Sequence, residues 1–350
     1  MPRSLQGGGL IVLVMALSSI VPARAAAQWL PFQTGPMHLP AIGLLQSFQY
    51  TPTIPGPFDS TADRWTSTVS FRWVNIWAFH IDTATTVDHW SETDPYPYRF
   101  GTFVVDMEAL CLTVDACYGI SDTMDLHLSI PTYTIGGGVL DGFIEGFHDL
   151  FGIDQHRRQD SERGLTRVFY IDRDQRAHLF DRDELAGFGL GDLSLYAGCL
   201  ISDSVPLFAI HAGVKCPTHT RMIPSEIKGF DFYMMSSTAW SLGSTRIYQG
   251  LGIIFYADTG LRDIRFLALR GTSATTIEYP MSDHISGIVH LIANTPSARF
   301  PKLDEYVFEM SLGLRITWND CLLDIGFLEN VFWYDNSPDF GVHLGLKQRF

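Results

Sequence analysis

The chain has 350 residues, of which 46% are apolar, 13% aromatic and only 18% charged, with a formal net charge of −14. So acidic a balance excludes nucleic acid as a partner, which needs a basic footprint. Beyond the N-terminus there is no apolar run long enough for a membrane helix, which excludes an inner-membrane transporter.

Residues 1–25 read as a signal peptide. Arg3 gives the positive start, Gly9 to Leu17 the apolar stretch, and Ala23-Arg24-Ala25 a small-x-small cleavage site. The apolar run is shorter than the ~20 residues that span a bilayer, so the chain is expected to be exported rather than anchored. Residues 26–63 carry Pro31, Pro36, Pro40, Pro52, Pro55 and Pro57 and read as a periplasmic arm or a luminal plug. Within them, 41–50 also looks like a strand, which would make the total odd.

From residue 64 onward several segments show a period of two, while 102–117, 262–279 and 284–295 alternate poorly. Val69, Phe71, Trp73, Trp77 and Phe79 oppose Ser70, Arg72 and His80, and Met124, Leu126, Leu128 and Ile130 oppose Thr123, Asp125, His127 and Ser129. An apolar outside alternating with a polar inside is what a strand between lipid and a watery lumen requires. Twelve strands are expected, near 64–81, 102–117, 122–133, 188–201, 204–216, 230–241, 246–258, 262–279, 284–295, 305–317, 321–334 and 339–350, with ten or fourteen as alternatives. The fold class is therefore all-β, a transmembrane antiparallel up-and-down β-barrel over 64–350 with both termini periplasmic. The polar parity supplies the lumen-lining candidates Arg72, Asp125, His127, Asp192, His211, Lys215, Glu309, Arg315, Asp324, His343 and Lys347.

A long insertion, 134–187, interrupts the strands on the extracellular side. Phe143, Ile144, Phe147, Leu150 and Phe151 follow helical spacing, opposite Asp141, Glu145, His148 and Asp149. This predicts a short amphipathic helix lying across the barrel mouth or in the membrane interface. Its polar side is expected to be a solvated face; the sharper alternative is a cation site at Asp141, Glu145 and His148. Farther on, Asp172, Asp174, Asp181, Asp183 and Glu184 mix with Arg173, Arg176 and Arg182, as in a hairpin with internal ion pairs.

The last eleven residues alternate Phe340, Val342, Leu344 and Leu346 against Gly341, His343, Gly345 and Lys347, and end in Phe350. This end resembles the C-terminal signal read by the outer-membrane assembly machinery, although Gln348 departs from the pattern. The five cysteines, Cys111, Cys117, Cys199, Cys216 and Cys321, show no CxxC or Cys/His zinc spacing and are read as small apolar residues. No metal and no cofactor are expected.

The glycine lead 136–138, the run from Leu140 to Gly152, and Gly189-Leu190-Gly191-Asp192-Leu193-Ser194-Leu195 together resemble the family catalogued as domain of unknown function 3187. The resemblance implies an outer-membrane barrel of similar length and carries over no catalytic residue.

No Gly-x-Ser-x-Gly elbow and no His-x-Ser-Asn-Gly segment is present, so no enzyme is expected. The leading expectation is an outer-membrane channel or transporter for a small solute. Uptake of an apolar ligand and a surface-binding or adhesion barrel without transport are the alternatives. Outer-membrane lipids and the assembly machinery are the expected partners.

Overall fold

The computed structural model describes residues 34–39, 42, 51–57, 59, 61–82, 98–152, 158, 162–220, 229–257, 260–261, 264–329 and 337–350. The expected signal peptide and, apart from Ile42, the strand-like 41–50 lie outside them. In chain order the strands are β1 (Trp65–His80), β2 (Phe103–Ser121), β3 (Met124–Gly136), β4 (Arg167–Ile171), β5 (Ala177–Phe180), β6 (Gly187–Leu190), β7 (Leu193–Ser202), β8 (Leu207–Cys216) and β9 (Asp231–Leu242). They continue with β10 (Thr245–Phe255), β11 (Gly260–Leu261), β12 (Ile264–Arg265), β13 (Leu269–Pro280), β14 (Ile285–Asn294), β15 (Val307–Trp318), β16 (Cys321–Glu329) and β17 (Phe340–Arg349). Two helices, α1 (Asp141–Phe151) and α2 (Arg182–Leu185), fall in the insertion.

Twelve strands (β1, β2, β3, β7 to β10 and β13 to β17) pair antiparallel in sequence order, and β1 pairs with β17. The sheet closes on itself and leaves no open edge, as a strand wall in lipid requires. Short turns join the strands at one end and long connections at the other; β1 starts and β17 finishes at the short-turn end. Among the described residues, no helix is long and apolar enough to cross a membrane.

Side-chain parity divides the wall. On β17, Leu344 and Leu346 are 46% and 43% exposed, whereas His343 and Lys347 are 5% and 8% exposed. Trp65, Tyr279, Trp318 and Phe350 are exposed near the short-turn end and Phe188, Phe230, Phe232 and Phe255 near the other. These aromatic residues make the two belts expected of a barrel at its water–lipid boundaries.

Three boundaries differ from the sequence expectation. The segment 188–201 is split at Gly191-Asp192 into β6 and β7, because Asp192 accepts hydrogen bonds from the backbone of Thr218 and His219 instead of joining the ladder. The segment 262–279 holds a separate two-residue hairpin strand before β13 begins at Leu269. The strand expected over 102–117 runs on to Ser121, with an irregular register between Gly119 and Ser121.

The insertion folds back on the barrel. β4 pairs with the far end of β2, placing Tyr170 opposite Phe103, and with β5. Within this hairpin Arg176 pairs with Asp174 as expected, and Asp172 meets His178 at 2.7 Å, a contact outside that expectation. Its Val168, Tyr170 and Phe180 join Phe103, Val105, Phe266, Phe300 and Leu303 in an apolar cluster that caps the long-loop end of the lumen.

Candidate functional site

The interior of the barrel is the candidate site. All eleven lumen candidates are buried, and most of them pair with one another across the wall. Arg72 Nη2 on β1 donates to Glu309 Oε2 on β15. Arg315 on β15 makes a two-point contact with Asp324 on β16, at 2.7 and 2.8 Å, and reaches Glu278 on β13 at 2.9 Å. Lys215 on β8 sits 2.8 Å from both Asp192 and Asp231, near the long-loop end. Asp125 lies beside His127 at 3.0 Å, and His211 Nε2 is 2.8 Å from Ser237 Oγ. His343 is buried as well.

Fixed dipoles and paired charges make such an interior stable without making it neutral. A buried ion pair that keeps its hydrogen-bonding partners offsets its desolvation, whereas one stripped of a partner does not. Asp192 shows this outside the strands. Burial raises its carboxyl, but Lys215 and the hydrogen bonds of His219 hold it below the usual carboxylate range.

Part of the N-terminal segment lies inside this charged interior. Thr34 Oγ1 donates to Glu278 Oε2 at 3.0 Å, and the Gly35 carbonyl accepts from Arg315 at 2.8 Å. His38 approaches Asp115 at 3.3 Å, and Lys347 donates to Asp59 Oδ1 at 2.7 Å. Met37, Leu39 and Ile54 pack with the inward Tyr196, Tyr233, Met235, Ile254 and Ile288. Sequence parity supplied the wall's side of these contacts but missed Glu278, Arg270, Asp115 and His290. Glu278 and Arg270 sit on a strand whose start was misplaced, yet Thr272, Thr276 and Glu278 against Ile277 and Tyr279 carry the signal.

Helix α1 is oriented differently from expectation. Asp141 and His148, expected on a solvated face, are buried, while Phe143 is 57% and Leu150 77% exposed; Asp149 is exposed. The reason is where the helix docks. It lies against the outward face of β1 and β17, with Leu140 and Ile144 packed on Phe340, Trp73 and Val342. There Asp141 accepts from Asn75, Arg158 and the Gly164 amide, and Arg158 also bonds Asp339. Glu145 pairs instead with Arg163, so Asp141, Glu145 and His148 do not converge on one cation.

The glycine lead has a matching reason. A Cβ at Gly138 would collide with the Glu108 carboxylate, and one at Gly137 with the Gly164 carbonyl. Their absence lets Glu108 accept from Leu140 N and from Trp73 Nε1 at 2.6 and 2.8 Å. The helix ends at Gly152, whose φ of 67° is left-handed. Among the described residues, one set of three possible metal donors converges, and it is elsewhere: Cys117, Asp125 and His127, all buried in the lumen.

The wall also carries an apolar cavity of about 520 Å³ across β8, β9, β10, β13 and β14. Its lining includes the outward Ile210, Met234, Leu251 and Ile253 and the inward Met235 and Thr272.

A comparison with curated proteins returns no match. Among solved structures, the chain is similar to the COG4313 outer membrane channel from Pseudomonas putida F1, at 12% identity and a TM-score of 0.50, covering 83% of this chain and 97% of that one. It is more remotely similar to the toluene transporter TodX of P. putida (7% identity, TM-score 0.40, 89% and 97% covered). The translocator domain of the autotransporter NalP from Neisseria meningitidis stands at 9% identity and a TM-score of 0.40, with 83% and 90% covered. Identities this low bear on the fold alone, which is that of an outer-membrane barrel. The model of a family described as Protein of unknown function (DUF3187) matches residues 11–350, and the chain belongs to that family.

Proposed function

We propose that the protein is an outer-membrane channel for a small solute, with residues 26–63 acting as a plug inside the lumen. The short-turn end is taken as periplasmic and the capped end as extracellular. The observation that carries this reading is the pairing of lumen charges with the arm: Lys347 with Asp59 and Arg315 with the Gly35 carbonyl. A segment held by a few polar anchors within a charged, closed wall can leave it without breaking the wall's own ladder. The lining charges would then set which solutes pass. The similar Pseudomonas chain is itself named an outer membrane channel.

The test is solute entry into proteoliposomes, comparing the mature chain with one lacking 26–63. Faster swelling in a graded series of small sugars and amino acids after deletion supports the reading. Equal impermeability of both, with the barrel folded, opposes it.

The wall cavity favours a second reading, uptake of an apolar molecule from the lipid side. Saturable binding of a fluorescent hydrocarbon, lost on filling the cavity with Ser273→Phe, would support it. Swelling without such binding would favour the polar channel.

A further inference from the structure

The β2–β3 hairpin and its two neighbours bring four donor side chains to one spot on the lumen wall. The register sets Cys117 opposite His127 and Gly119 opposite Asp125. It continues across β7 and β8, with Asp125 opposite Gly198 and Gly198 opposite His211. Cys117 Sγ lies 3.5 Å and Asp125 Oδ1 3.0 Å from His127 Nε2, and the three donor atoms fall within 4.8 Å of one another. Tetrahedral sites with bonds of ~2.0–2.3 Å hold their donors roughly 3.3–3.8 Å apart. Only small side-chain shifts separate this cluster from that geometry.

Two further facts point to a guest. His211 Nδ1 is buried and makes no hydrogen bond, and Asp125 Oδ1, also buried, makes none beyond its 3.0 Å approach to His127; the two residues are 1% and 3% exposed. Both overhang the same glycine: a Cβ on Gly198 would come within 2.2 Å of the carboxylate oxygen and 2.8 Å of the imidazole nitrogen. The His211 ring is held as a metal-bound imidazole usually is, by a hydrogen bond on the nitrogen away from the ion, and the His127 ring is held by stacking on its face. Ser237 engages His211 Nε2, and Tyr196 stacks on His127 at 4.1 Å.

We propose that Cys117, Asp125 and His127, with His211 as fourth donor, bind one transition-metal dication of the zinc type inside the lumen. A thiolate and imidazoles are poor partners for calcium or magnesium, which take oxygen donors. Cys117 and Asp125 meet the same ring nitrogen of His127, so the three converge on one point instead of forming a Cys–His–Asp relay through both ring nitrogens. On binding, the metal–sulfur bond forms and the Cys117 proton leaves to solvent. The site stands apart from the channel reading and does not depend on it.

The mature chain, folded in detergent micelles and stripped with a chelator, is titrated with Co²⁺ alone. The expected result is uptake of one equivalent with a thiolate-to-cobalt charge-transfer absorption, and displacement of the cobalt by Zn²⁺. Cys117→Ser removes that absorption, and His211→Ala weakens binding by about tenfold or more. Folding of each variant is read from its heat-modifiable gel mobility. Should Cys117→Ser fail to fold, Asp125→Asn serves: the same loss of affinity supports the site, and unchanged affinity overturns it. A folded wild-type chain with no charge-transfer band at millimolar Co²⁺, or a band that persists in folded Cys117→Ser, also overturns it.

Discussion

Lys347 on the last strand donates to Asp59, 288 residues earlier, at 2.7 Å. Both side chains are largely withdrawn from water, at 10% and 14% exposure. The contact joins the strand that closes the barrel to the segment that lies within it.

Lys347→Met leaves the Asp59 carboxylate without its cation in a nearly dry place. Loss of one partner from a buried pair costs about 3–5 kcal/mol, and movement of the arm into water relieves that cost. Limited proteolysis in micelles should therefore cut the arm several-fold faster in the variant, with the strand content by circular dichroism unchanged.

Acid should not release the arm readily. Burial raises the Asp59 carboxyl, but the Lys347 ammonium and its hydrogen bond, together with the nearby His127 and His211, more than offset this and hold it below the usual carboxylate range. A group depressed in the folded state contributes stability above its unfolded value of ~3.9 and loses it only as pH falls through the lower, folded value. Bilayer current should thus be flat from neutral pH down to about pH 4. An opening transition centred near that ordinary aspartate value would show that the ammonium does not hold the carboxylate.

Arg72 and Glu309 pair deep in the lumen, each about 1% exposed. Arg72→Met strands the carboxylate and should lower stability by about 3–5 kcal/mol. Arg72→Met with Glu309→Gln should recover most of that loss, because no unpaired charge remains. Urea unfolding of the micelle-bound barrel measures both.

Asp141 anchors α1 to the outer wall through Asn75, Arg158 and Gly164. Asp141→Ala should free the helix and raise protease cleavage within 134–187, leaving the twelve-strand wall intact. Leu150→Arg, on the exposed side, should instead change stability by only about 0–1 kcal/mol if that side lies near the lipid boundary. A cost above this range would place it at the hydrocarbon midplane.

The wall was readable from sequence because parity has only two outcomes per residue, and lipid enforces it. Leu344 and His343 could be assigned to opposite solvents without knowing any neighbour. The helix face was not readable in the same way. Phe143 and Asp141 follow an amphipathic pattern, but which side meets protein depends on Asn75 and Glu108, polar at outward positions of β1 and β2, and on Asp339 just before β17. The four-donor cluster was hidden for a related reason. Cys117 and His127 are ten residues apart, with no zinc spacing, and meet only through the hairpin register; a turn placed at 122–123 would have revealed that pair. His211 arrives from β8 across the bare backbone of Gly198, a contact that no linear motif records.

The placement of the arm inside the barrel is tested most directly by zero-length cross-linking of the otherwise unmodified chain from residue 26 onward. Carbodiimide treatment joins an amine to a carboxylate only where the two touch. The expected product is an amide between Lys347 and Asp59, found by mass spectrometry and absent when the chain is unfolded. Formation of the exposed Lys302–Glu305 link, whose groups are 3.4 Å apart, without any Lys347–Asp59 product would contradict it.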